Sequence, residues 1–154
     1  MTMNKKAIVF STIAICVFLL FGLNGCGYFS SGTWEDDPHN WERAFRSKKP
    51  DDVVVLHSWF WRSPHWSYEF QYFFEIEHND SLEKQLFEQN KLIKLDGKDA
   101  TDAKNNYIVE PPDWFAPKAV DEYEIWVFED EPERNFRVFV DKETGNLYLT
   151  DYLV

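Results

Sequence analysis

The sequence predicts an α+β fold: an antiparallel sheet of about five to six strands, a hairpin plus a C-terminal meander, with two short helices packed on one face. Three observations predict it. Apolar and polar residues alternate with a period of two over 66–77, the mark of a strand. Three further β-rich runs follow one another at the end of the chain, separated by charged turns. No strand-helix-strand alternation of the kind that builds parallel sheets is present.

The chain opens with Met1–Lys6, two lysines and no acid, followed by an apolar run from Ala7 to Leu23. A basic start, an apolar middle and a small-residue end are the parts of an export signal. The run is short for a comfortable membrane span of about 20 residues. Leu23-Asn24-Gly25-Cys26 closes it. This segment resembles the lipobox signal of bacterial lipoproteins. The resemblance implies cleavage between Gly25 and Cys26, a diacylglycerol on the Cys26 thiol and acylation of the new amino group. Residues 1–25 are then a cleaved signal, 26–35 a lipidated N-terminus with a short Ser/Gly tether, and 36–154 a single α+β domain. With Gly27 rather than Asp after the cysteine, the lipoprotein sorting rule implies the periplasmic side of the outer membrane in a diderm. In a monoderm the place is the outer face of the cytoplasmic membrane.

The elements of the domain follow in order. Asp36-Asp37-Pro38 suits a helix start, since an Asp caps free amides and Pro is tolerated in the first turn. Trp41, Ala44 and Phe45 share its apolar face, and Lys48-Lys49-Pro50 ends it. Val53–Arg62 is rich in β-branched and aromatic residues, as strands are. Regular alternation would put Val53, Val55, His57, Trp59 and Trp61 on one face, and Val54, Leu56 and Phe60 on the other. A turn at Arg62-Ser63-Pro64-His65 leads to the alternating strand, whose Glu69, Gln71 and Glu75 side should meet water. Asn79-Asp80-Ser81 starts a second helix with Leu82, Leu86 and Phe87 as its buried stripe and Asn90 as its stop. Lys91–Leu95 fits a short strand. Residues 96–106 read as a polar loop. Pro111–Pro117 holds three prolines and cannot be regular structure. Tyr123–Phe128, Asn135–Val140 and Leu147–Tyr152 form the meander.

Composition narrows the function. Cys16 lies in the signal and Cys26 would carry lipid, so the mature domain folds without disulfides and without a thiolate site. It keeps 14 basic and 27 acidic side chains, a net charge of −13. Such a domain is repelled by nucleic acid and by anionic headgroups, so attachment is expected through lipid rather than a basic face. No nucleophile elbow, phosphate loop or dinucleotide fingerprint occurs. His39, His57, His65 and His78 lack the spacing of a metal site, and neither a metal nor another cofactor is expected. No residue pattern singles out a catalytic group.

What remains is aromatic. Nine of the eighteen residues from His57 to Phe74 are Trp, Tyr or Phe. Together with Trp114 and Phe115 in the proline segment they form either a core or a recognition surface. The candidate binding residues are Trp59, Trp61, Trp66, Trp114 and Phe115. The sequence therefore points to a lipid-anchored, non-enzymatic interaction module with an envelope protein as partner, immunity-type neutralisation of a basic toxin being one version. The rival is a module that binds or processes cell-wall glycan by stacking on exposed tryptophans.

Overall fold

The computed structural model describes residues 31–64, 68–131 and 134–154. Trp66, Gly25 and Cys26 lie outside them. Seven strands form one antiparallel sheet: β1 Gly32–Glu35, β2 Val55–Arg62, β3 Phe70–Ile76, β4 Leu92–Leu95, β5 Tyr123–Phe128, β6 Arg137–Asp141 and β7 Leu147–Leu153. Their spatial order is β1-β2-β3-β7-β6-β5-β4. The helices are α1 Asn40–Phe45, α2 Asp80–Gln89 and α3 Gly97–Asn105. The α+β class and the antiparallel sheet are as the sequence predicts, with the expected short strand at 91–95 present as β4; the sheet is larger by β1.

Each face of the sheet has its own core. On the first, α1 and α2 lay Trp41 and Leu82 over Phe60, Tyr72, Phe74, Ile76, Val138, Leu147 and Leu149. Helix α2 starts where Asn79 Oδ1 accepts the Leu82 N–H at 2.8 Å, a side-chain N-cap. Helix α1 ends at Arg46, whose φ of 55° is left-handed.

The second face departs from expectation. It is covered by α3 and by the proline segment, so the helices are not all on one side. Ala100 and Ala103, Phe115 and Ala116 pack on Phe73, Tyr123, Ile125, Phe139 and Tyr148. Residues 96–106, read as a loop, form α3 because two alanines one turn apart suffice to seat a helix closely on a sheet. The supposedly wet side of β3 is likewise buried. Gln71 is fully enclosed, and its Oε1 accepts the backbone N–H groups of Ile108 and Val109, both at 3.0 Å. A single side-chain carbonyl thereby pins the covering segment to the middle of the sheet.

Two local features shape the β1–β2 side. Gly32–Glu35, expected within the tether, forms the edge strand, pairing Gly32 with Arg62 and Glu35 with Trp59. A β-bulge interrupts β2: Val55 lies opposite Ile76, while His57 lies opposite Glu75. Two β2 residues thus match one on β3, and the parity of the strand reverses. Val55 joins the α1/α2 core, whereas His57 stays on the face of Trp59 and Trp61. The expected grouping of Val53 and Val55 with His57 is corrected accordingly.

Candidate functional site: an aromatic ledge with a carboxylate rim

The ledge lies on the second face, at the β1–β2 margin, where the cover of α3 and the proline segment thins out. Its position begins with Asp36. This residue has a left-handed φ of 48° that turns the chain off β1 and across β2. Asp36 N–H donates to the Ser58 carbonyl at 2.7 Å, and its Oδ1 accepts the Ser58 N–H at 2.8 Å. The other carboxylate oxygen lies 3.4 Å from His57 Nδ1. The imidazole and the carboxylate remain 44% and 53% exposed, so the pair is presented to solvent.

Trp114 completes the pair from above. Its ring stacks on His57 with centroids 5.3 Å apart and planes 25° from parallel. Next along the face come Trp59, against Phe73 at 5.6 Å, and Trp61, cross-strand from Thr33. Trp59, Trp61 and Trp114 are all half-buried. Exposed Glu35 and Asp36 border the rings. On the inner side, Glu75 accepts the Tyr148 hydroxyl at 2.9 Å. Burial, and then the Glu75 carboxylate, raise the Tyr148 phenol well above its ordinary value, so it remains a donor at neutral pH.

The five aromatic residues singled out in the sequence therefore separate. The structure brings Trp59, Trp61 and Trp114 to one surface. Phe115 is only 5% exposed and belongs to the core, which overturns its reading as a contact residue. Its ring is enclosed by Phe73 at 4.8 Å, Phe139 at 5.6 Å and Tyr148 at 5.7 Å. Trp66 lies outside the described residues. Alternation along β2 already groups His57 with Trp59 and Trp61; what no local pattern reveals is that the left-handed turn at Asp36 brings its carboxylate to His57 and that Trp114 stacks on the imidazole.

The chemistry offered is recognition. Indole faces and nearby carboxylates suit a cationic group, which gains both cation–π and charge attraction. Asp36, His57 and Ser58 do not assemble a nucleophilic triad. Ser58 points to the opposite face, is buried, and its Oγ accepts from Asn40 Nδ2 at 3.1 Å. The other described histidines pair locally, His39 with Glu42 at 3.9 Å and His78 with Asp80 at 3.1 Å. Among the described residues no group of three or more His, Cys, Asp or Glu side chains is placed to hold a metal ion. Nor, among them, is any helix long and apolar enough to cross a membrane.

Two neighbouring features serve the scaffold. An open depression of about 370 Å³ lies between α3 and the proline segment, lined by Lys104, Tyr107, Pro111, Pro112 and Asp113. Its lysine is committed: Lys104 Nζ donates to the carbonyls of Ala116 and Lys118 at 2.5 and 2.7 Å. Burial lowers the Lys104 pKa. At the far end of the sheet, Lys118 Nζ bridges Asp141 at 3.0 Å and Glu143 at 2.7 Å. Burial alone would raise the Asp141 pKa. Lys118 and the amides of Glu143 and Thr144 outweigh it and hold the carboxyl low. This cluster ties the proline segment to the β6–β7 turn.

Compared with known proteins, the chain matches no family model, no curated sequence and no solved structure.

Proposed function

We propose that the protein is a lipid-anchored binding module of the cell envelope, whose aromatic ledge receives a basic segment of a protein partner. The observation that carries this proposal is the half-exposed cluster of Trp59, Trp61 and Trp114 beside His57, Asp36 and Glu35, on a domain of net charge −13. Flat rings lose little conformational freedom on binding, and a negative domain draws a basic partner in at long range. The anchor at Cys26 rests on the lipobox resemblance of residues 23–26 and keeps the module at the membrane surface. An inhibitor or immunity-type role against a basic protein fits the same surface.

The test is crosslinking in intact envelopes followed by affinity purification, comparing wild type with Trp59→Ala and Trp114→Ala. The proposal expects a basic protein recovered with wild type and depleted at least about tenfold with either variant, the loss of a contact worth about 1.4 kcal/mol or more. Equal recovery from all three would overturn it. The half-exposed tryptophans also favour a second possibility, stacking on a sugar ring. Titration of tryptophan fluorescence with cell-wall glycan fragments separates the two: a saturable change supports glycan, and an unchanged spectrum at millimolar ligand argues against it.

A further inference from the structure

We infer that His57 gates the ledge by pH: once protonated, it takes the place that a basic partner's cation would hold against Trp114 and Asp36. This rests on the reading of the ledge proposed above and names its regulation. Imidazole is the side chain whose charge changes between about pH 8 and 5. The Trp114 indole lies along the His57 ring, with centroids 5.3 Å apart and planes 25° from parallel. His57 Nδ1 lies 3.4 Å from Asp36 Oδ2. An aromatic face and a carboxylate are the two groups that hold a bound cation, and His57 already touches both. Asp36 is fixed independently of the imidazole, because its other oxygen accepts the Ser58 N–H at 2.8 Å. Ring and carboxylate are both open to solvent, so a proton reaches them freely.

The charged groups of the neighbouring elements set the sign. From β3, Glu75 lies opposite His57 and is engaged by the Tyr148 hydroxyl at 2.9 Å and Asn146 Nδ2 at 3.4 Å; exposed Glu77 follows two residues on. From β1, exposed Glu35 lies opposite Trp59. From the proline segment, exposed Glu110 and Asp113 precede Trp114. From α1, Arg43 is tied to Asp37 at 2.9 Å and lies over Trp34 on the other face, while His39 pairs with Glu42. The imidazolium therefore brings a positive charge into an acidic surface. It cancels the pull of Asp36 and repels a lysine or arginine arriving over Trp114. A basic partner thus binds more weakly as pH falls through the imidazole range, and by linkage its binding expels a proton from His57. A neutral sugar ring would not feel the change.

The experiment uses the full-length chain, expressed in a bacterial host and purified in a non-ionic detergent. The probe is a hexa-arginine peptide with both ends capped, whose charge is constant over this pH range because arginine stays protonated. Calorimetric titration at about pH 7.5 and about pH 5.5 compares wild type, His57→Gln and Trp114→Ala. Wild type should bind the peptide about fivefold more tightly at the higher pH, a modest factor because the pair is exposed. For His57→Gln the ratio between the two pH values should fall to about one. Trp114→Ala should bind at least about tenfold more weakly than wild type at the higher pH. A wild-type affinity that does not change with pH, or a His57→Gln ratio equal to that of wild type, overturns the gate while the loss in Trp114→Ala leaves the ledge standing. A peptide that does not bind, or that binds Trp114→Ala as tightly as wild type, overturns the ledge and the gate together.

Discussion

Adjacent residues Trp114 and Phe115 are predicted to do opposite things, and their truncation separates scaffold from surface. Phe115→Ala empties a site that is 5% exposed and bounded by rings of Phe73, Phe139 and Tyr148 on three different strands. Those strands are fixed by sheet pairing, so the site collapses little. The loss then falls in the upper part of the usual Phe→Ala range, about 4 kcal/mol. Trp114→Ala removes a half-buried ring that stacks on His57 and packs at the edge of the second core, a loss of about 1 kcal/mol. Urea unfolding followed by tryptophan fluorescence measures both. With a slope near 2 kcal/mol per molar urea, Phe115→Ala lowers the midpoint by about 2 M and Trp114→Ala by about 0.5 M. A Phe115→Ala cost below about 1.5 kcal/mol, or an equal cost for Trp114→Ala, would refute the assignment of Phe115 to the core.

Further predictions concern a carboxyl and a turn. Burial raises the Asp151 pKa to about 6, while its unfolded value lies near 3.9, so the folded state holds the proton more tightly. Stability therefore falls as pH rises from about 4 to 6 and stays lower above that. Asp151→Asn should stabilise the protein by about 1–2 kcal/mol at pH 7.5, after allowance for solvent screening, with the gain vanishing near pH 4; a gain independent of pH would contradict this. At Gly145, φ is 75° and an added Cβ would sit 2.8 Å from His78 Nδ1. Gly145→Ala should cost about 2–3 kcal/mol in thermal unfolding, with the steric part recovered by adding His78→Ala. No recovery in the double variant would show that the backbone conformation alone is responsible.

The sequence made the meander, the β2–β3 pair and the Asn79 helix start legible because each is written in local periodicity or capping chemistry. What it concealed was set by small or distant residues. Helix α3 has only Ala100 and Ala103 on its buried side, spaced i and i+3, within otherwise polar residues. The spacing was a usable signal; the polarity masked it. Strand β1 is four residues long and draws its stability from pairing with β2, which no window of its own sequence reveals. Gln71 looked solvent-facing because a period of two marks polarity, whereas the Ile108 and Val109 amides that satisfy it come from 37 and 38 residues away. The ledge was half legible. The tryptophan cluster stood out, and alternation already set His57 on the face of Trp59 and Trp61, but the bulge that takes Val55 off that face leaves no mark in composition, and Asp36 reaches His57 across 21 positions. Phe115 and Trp114 were indistinguishable as neighbours in a proline-framed pair, and only packing separates them.

The anchor at Cys26 is the claim on which location and partner depend, and palmitate labelling of wild type and Cys26→Ala tests it most directly. Wild type should incorporate label and run at the mass of a chain beginning at Cys26; Cys26→Ala should take up none and persist as the uncleaved precursor. A Cys26→Ala protein that is still labelled and still cut after Gly25 would contradict it.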